Sequence, residues 1–178
     1  MAEHFAGAIQ IGGPIPRRLL EDFMKQVDGS SRTYGDAPTR ITTEEELLAA
    51  LNPASHWLEI EDDQASGGMF WELEKWLEEN GIAYDRQSDA KYEFSAECVY
   101  FRPGRGLFTF TGDQDHAAFV PLAKVREVKN KLFEEAAHAA FLDAFVKNVQ
   151  ALAMELDILA PDIEDLPPLT VVDWERVL

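Results

Sequence analysis

The first 80 residues switch between the hydrophobic periods of strands and of helices. Residues 5–11 form an apolar run that ends at Gly12-Gly13-Pro14, which predicts a strand followed by a turn. Residues 56–61 alternate, with Leu58 and Ile60 on one face, as in a half-buried strand. Between these strands, helical spacing predicts a helix whose apolar face is made of Leu19, Leu20, Phe23, Met24 and Val27.

Two shorter signals mark further helix ends. Thr42 or Thr43, with Glu45 or Glu46 three residues on, resembles a capping box at the start of a short helix. Asn80-Gly81 predicts the C-terminal end of another helix, which begins after Gly67-Gly68. The inner face of that second helix would carry Phe70, Leu73, Trp76 and Leu77.

The second half of the chain predicts strands and then a long helix. Strands are expected over 82–86, 92–101 and 107–111, with a turn at Pro103-Gly104. From Pro121 to residue 156 the chain keeps helical spacing, and after Pro121 it has no glycine or proline. One helix of that length would span about 50 Å. We therefore expect either a break near residues 130–135 or a partner that covers the exposed end.

These elements predict a two-layer α+β fold. The sheet would have about five strands, mixed or mostly antiparallel, with helices on one face and a long C-terminal helix. Residues 1–156 would form one domain, and the proline-containing acidic tail 157–178 would dock on it.

Charge is distributed unevenly along the chain. The formal net charge is -17, and residues 41–85 alone carry twelve acids against the single base Lys75. Residues 86–131 are slightly basic, which favours internal salt bridges between the two segments. A field of one sign governs partner choice and association rate rather than fold. We therefore expect binding to a basic protein surface, and neither direct nucleic-acid binding nor membrane binding.

Composition limits the remaining classes. Hydrophobic residues make up 46% and charged residues 28%, as is usual for a folded protein. Cys98 is the only cysteine, which excludes an intramolecular disulfide, and it is expected to be a buried structural thiol. With neither a secretory signal nor a membrane-length apolar run, the expected location is the cytoplasm. No cofactor motif is present, and no cofactor is predicted.

Three clusters could carry chemistry. Acidic residues at 59–63 could share a divalent cation, and Asp113, Asp115 and His116 are weak metal candidates. A metal-dependent hydrolase is therefore an alternative function, provided that these two clusters meet. Gly12-Gly13 could hold an anion at a helix start. Solvated acids and ordinary turns are the favoured explanation of all three clusters, so no metal site and no catalytic residue is predicted.

The favoured hypothesis is a non-catalytic protein that docks an acidic face on a basic, nucleic-acid-handling partner. Its sharpest form is an inhibitor that mimics nucleic acid, as anti-restriction or anti-CRISPR proteins do. The like-charged pair Glu74 and Glu78 suggests a cation from outside, so exchanging both for lysine is expected to stabilise the free protein slightly and to abolish capture. The other alternative is an oligomeric adaptor that pairs through its C-terminal helix. The candidate partner-binding residues are Glu59, Glu61, Asp62, Asp63, Glu72, Glu74, Glu78 and Glu79.

Overall fold

The structure is a computed structural model that describes most of the chain. The described residues are 4–28, 41–90, 95–112, 118–119, 122–138, 146–147, 149–154, 161 and 163–173. Two compact units are distinguished by their internal contacts. The first comprises residues 1–118 with 165–178, and the second comprises residues 119–164.

A five-stranded antiparallel sheet forms the centre of the first unit, which confirms the predicted α+β class and strand number. A two-residue strand, β7 (Ala118–Phe119), follows the fifth strand in the sheet order. The five strands, in spatial order, are β3 (Leu58–Ser66), β1 (His4–Ile11), β4 (Tyr84–Ser88), β5 (Glu97–Arg102) and β6 (Gly106–Gly112).

One face of this sheet carries the hydrophobic core. The register places Ile9 opposite Ile60 and Ile11 opposite Leu58, so the inward residues of β1 and β3 meet. Helix α1 (Leu20–Asp28) and helix α3 (Trp71–Glu79) bury their apolar faces in the same core. Each fully buried side chain of this size contributes roughly 1.5–3 kcal/mol. The helical residues involved are Leu20, Phe23, Val27, Leu73 and Leu77.

Residues 165–173 belong to the first unit and are held there by strand pairing and hydrogen bonds. Strand β8 (Thr170–Val172) pairs in parallel with β2 (Pro14–Pro16). The indole Nε1 of Trp57 donates to the Leu166 carbonyl at 2.8 Å. Gly13 N–H donates to the Pro167 carbonyl at 3.0 Å, and Gly12 N–H donates to that of Ala83 at 3.1 Å. The suggested anion site at Gly12-Gly13 is therefore wrong, because these donors already have protein partners.

The second unit contains helix α4 (Leu122–His138) and further helical residues at 146–147 and 149–154. Helix α4 continues through residues 130–135, so it has no break where one was expected. Residues 139–145 lie outside the described part, and a single helix over 121–156 is not shown. Among the described residues, no helix combines the length and the apolar character that a membrane span requires.

The predicted capping box is confirmed at helix α2 (Glu44–Ala49). Thr43 is the N-cap, and its hydroxyl accepts from Glu46 N–H at 3.1 Å. The Glu46 carboxylate accepts in return from Thr43 N–H at 3.0 Å. This exchange satisfies two backbone donors that the helix cannot satisfy internally, and it directs the buried side chain of Leu47 into the core.

Removing this cap is expected to weaken the fold measurably. Thr43→Ala leaves the Glu46 N–H without its acceptor, and we expect the free energy of unfolding to fall by about 1 kcal/mol. Urea unfolding followed by circular dichroism measures the change. Thr43→Ser keeps the hydroxyl and is the control that should retain most of the stability. Equal losses in both variants would contradict the capping role.

The same cap predicts a pH dependence. Hydrogen bonds from Thr42 and Thr43 lower the pKa of Glu46. A carboxylate with a lowered pKa stabilises the fold above its ordinary pKa, and this contribution disappears as the pH falls through the folded-state pKa. We therefore expect the stability difference between wild type and Glu46→Ala to be constant at neutral pH and to shrink in acid. Unfolding curves from pH 7 to pH 3 measure it, and a difference that grows in acid would contradict the assignment.

Candidate functional site

The connection from β3 to α3 makes a close turn over the sheet. Gly67 and Gly68 both have φ of 65°, a conformation that other residues rarely adopt. Beneath the turn, a Cβ atom on Gly7 would lie 2.6 Å from the Gly68 carbonyl oxygen. Glycine is therefore required at position 7 for the close approach, and at positions 67 and 68 for the turn itself.

Arg86 fixes this connection from below. Its side chain is 3% exposed and extends from β4 towards the core face. Nε lies 3.2 Å from Glu74 Oε1 in α3, and Nη1 donates to the Gly68 carbonyl at 3.3 Å. Nη2 donates to Glu97 in β5. One buried guanidinium thus holds the turn, the helix and a neighbouring strand in a fixed relation.

Glu74 contacts both Arg86 and the backbone of its own helix. Its Oε1 also accepts from the backbone N–H of Phe70 at 2.7 Å, at the start of helix α3. Because a buried charge without a partner is very costly, Arg86 and Glu74 depend on each other. From the sequence, a cation from another protein was expected to compensate the Glu74–Glu78 pair. For Glu74, the compensating cation is instead Arg86 of the same chain.

An open groove of about 430 Å³ lies between β3, α1 and α3. Phe70 and Leu73 are buried beneath it, whereas Met69 and Trp71 are 43% and 71% exposed. Asp62 contributes one carboxylate and Glu72 another. The complete lining is Lys25, Gln26, Asp62, Ala65, Ser66, Met69, Phe70, Trp71, Glu72 and Leu73.

The predicted acidic residues of β3 do not all face this groove. Glu59 pairs with Gln10 and Glu61 with Ala8 across the strands, so both lie on the face opposite the core and opposite α3. Gln10 Nε2 donates to Glu59 at 2.9 Å. Asp63 is exposed on the same edge strand. The candidate set is therefore divided between two faces of the sheet, and strict strand alternation is the cause.

The acidic residues of α3 also differ in exposure. Glu72 and Glu79 are exposed, and Glu79 lies 3.9 Å from the Lys75 ammonium. Glu78 is exposed but accepts from the Tyr84 hydroxyl at 2.7 Å. Burial, together with this bond, raises the pKa of Tyr84. Glu74 is only 14% exposed, so its carboxylate is not on the surface as the sequence interpretation supposed.

The metal hypothesis gains no support from the described residues. Within them, no group of three or more histidine, cysteine, aspartate or glutamate side chains could hold a metal ion. Asp113, Asp115 and His116 lie outside the described part of the chain. Cys98 is fully buried, as predicted.

Two basic residues after position 85, Arg86 and Arg102, have acidic partners within residues 41–85, as the charge balance suggested. Arg102 is buried and pairs with Asp85 through two donors, at 2.5 and 3.3 Å. Desolvation nevertheless raises the pKa of Asp85, and the bonds from Arg102 only partly oppose that effect.

Sequence reasoning missed both Arg86 and the groove, although the sequence carries a signal for the buried pair of Arg86 with Glu74. Arg86 lies between Tyr84 and Ser88 at the inward positions of β4. A charged residue at an inward position indicates a buried ion pair. Glu74 follows Phe70 by four residues and so lies on the inner side of its helix.

Comparison with protein-family models, curated proteins and solved structures found no match to this chain.

The structure reverses the expected effect of charge reversal at position 74. Glu74→Lys would place a second cation beside buried Arg86, so we expect the free energy of unfolding to fall by about 3 kcal/mol or more. Glu72→Lys, two residues earlier and exposed, is the control and should change stability by no more than about 0.5 kcal/mol. Urea denaturation measures both variants. Equal effects, or stabilisation by Glu74→Lys, would contradict the buried pair.

Proposed function

We propose that this protein is a non-catalytic binding module that docks an acidic surface on a basic protein. One observation carries the proposal most directly. The acidic residues Asp62 and Glu72 line the β3–α3 groove together with two exposed apolar residues, Met69 and Trp71. An apolar centre with a polar rim is typical of protein interfaces, in which aromatic residues and methionine are enriched.

The groove has a rigid base, which favours binding. The connection that carries Met69 is held by Arg86 and by the close approach of Gly68 to Gly7. A preorganised surface loses little conformational entropy when a partner binds, so more of the contact energy contributes to affinity. The proposed contact residues are thus presented by fixed elements.

Charge indicates the class of partner. Residues 41–85 have twelve acids and one base, which gives a net charge of -11. Internal ion pairs such as Glu74–Arg86 and Asp85–Arg102 neutralise only part of this charge. Exposed acids remain at Glu61, Asp63, Glu72 and Glu79. Such a field accelerates encounter with a basic surface and disfavours acidic ones. Basic surfaces of this kind are common on proteins that bind nucleic-acid phosphates, so the proposed partner is a nucleic-acid-binding protein and the proposed activity is competitive inhibition.

The division of the acids between two faces narrows the proposed contact surface. Glu59 and Glu74 have internal partners, and Glu78 accepts from Tyr84. We therefore assign the main contact to Asp62 and Glu72 at the groove. The remaining exposed acids contribute to long-range attraction, in which exact placement matters less.

Charge reversal at the groove is the direct test. The immobilised full-length chain is exposed to source-cell lysate and eluted with a salt gradient. We expect to capture a basic protein that elutes as salt screens charge. Duplex DNA, added as a competitor, should also release this protein from the immobilised chain. Glu72→Lys should weaken its capture at least about tenfold, because a like charge brought against the basic surface costs more than the 1.4 kcal/mol that corresponds to a factor of ten.

The matched control is Glu45→Lys. Glu45 occupies the same second position in helix α2 as Glu72 does in helix α3, is exposed, and gives the same change in net charge. Its reversal should leave capture within about twofold. Equal losses in both variants would show that capture depends on net charge alone, and capture that neither salt nor DNA disturbs would overturn the proposal.

A further inference from the structure

We propose that the β3–α3 groove binds an arginine side chain of the partner, with its guanidinium against the Trp71 indole and paired with Asp62 and Glu72. This inference rests on the proposed function, since it names the group that the acidic surface recognises. It goes further by assigning a specific aromatic residue and a preference for arginine over lysine.

Trp71 is unusually exposed for a large aromatic residue. Its side chain is 71% exposed at the first position of helix α3, so the core does not require it. Met69, two residues earlier, is 43% exposed and lines the same groove. Neighbouring exposed apolar side chains of this size mark interaction sites more often than isolated ones do.

The charges around the groove favour a cationic occupant. Asp62 and Glu72 both line it, and the Asp62 carboxylate is oriented by the backbone N–H of Gln64 at 2.9 Å. Lys25 also lines the groove, but its ammonium lies 2.8 Å from Glu21 and 3.3 Å from Asp22. The charge of Lys25 is therefore already compensated, and it does not cancel the two carboxylates.

The start of helix α3 would by itself disfavour a cation, because a helix N-terminus carries a partial positive charge. Glu72 and Glu74 in the first turn oppose that charge. Glu74 is occupied by Arg86, so Glu72 and Asp62 are the carboxylates that an incoming cation would meet. The local field is thus negative at the open side of the groove.

The combination of indole and carboxylates selects arginine. A guanidinium stacks on an aromatic face and pairs with carboxylates in one plane, whereas an ammonium is a compact and more strongly hydrated point charge. The groove volume of about 430 Å³ is within the range of small-ligand sites and accommodates one such side chain. An uncharged apolar peptide would desolvate both carboxylates without supplying a cation to either.

Short peptides test the assignment on the full-length chain. Blocked hexa-arginine and hexa-lysine are titrated by calorimetry at low and at moderate salt. We expect hexa-arginine to bind about three- to tenfold more tightly than hexa-lysine. Trp71→Ala should abolish that preference, whereas Leu107→Ala, a similarly exposed apolar residue on β6 with 51% exposure, should preserve it. The double variant Asp62→Asn and Glu72→Gln should bind both peptides more weakly than the wild type does.

The outcomes separate this inference from the proposed function. If both peptides bind equally, or if Trp71→Ala leaves the preference intact, the arginine site is wrong while acidic docking survives. If neither peptide binds, both proposals fail. A dimer that dissociates on Trp71→Ala, measured by sedimentation, would show that a second copy covers the groove and would overturn the arginine assignment. Loss of preference in Trp71→Ala with native thermal stability supports it.

Discussion

The buried guanidinium of Arg86 is the interaction on which the rest of this surface depends. It joins the β3–α3 connection and helix α3, which are consecutive in the chain, to strand β5, which follows about twenty residues later. A cation in the core is tolerated only where carboxylates and carbonyls surround it. Because each contact of Arg86 is costly to lose, the three elements are held in one arrangement. The groove lies between β3 and α3, so its position depends on this arrangement.

This arrangement changes the meaning of the acidic charge. Part of the charge of residues 41–85 is structural, because Glu74 and Asp85 neutralise the buried bases Arg86 and Arg102. The remaining charge lies on the surface, and strand alternation divides it between two faces. A fixed turn then presents Met69 beside the carboxylates of one face. We expect affinity for the proposed partner to depend on that local combination more than on the total net charge of -17.

Local signals in the sequence predicted much of the fold. The Thr43–Glu46 capping box, the turn at Gly104 and the strand alternation around Leu58 involve residues a few positions apart, where steric and hydrogen-bonding preferences act directly. The site was harder to predict, because Arg86 meets Glu74 and Glu97 only after α3, β4 and β5 have packed together. By contrast, the alternation around Leu58 already predicts that Glu59 and Glu61 lie on the face opposite Leu58 and Ile60, and the pairing of β3 with β1 agrees with it.

The most direct test of the account is a nuclear magnetic resonance titration of the isotope-labelled chain with hexa-arginine. Shifts are followed at the Trp71 indole N–H and at the backbone amides of residues 66–73 and 59–61. We predict that the signals of the Trp71 indole and of the 66–73 amides shift together and saturate, while the amide signals of Glu59 and Glu61 on the opposite face move little. Shifts concentrated at 59–61, with an unmoved indole, would contradict the assignment of the groove as the binding site.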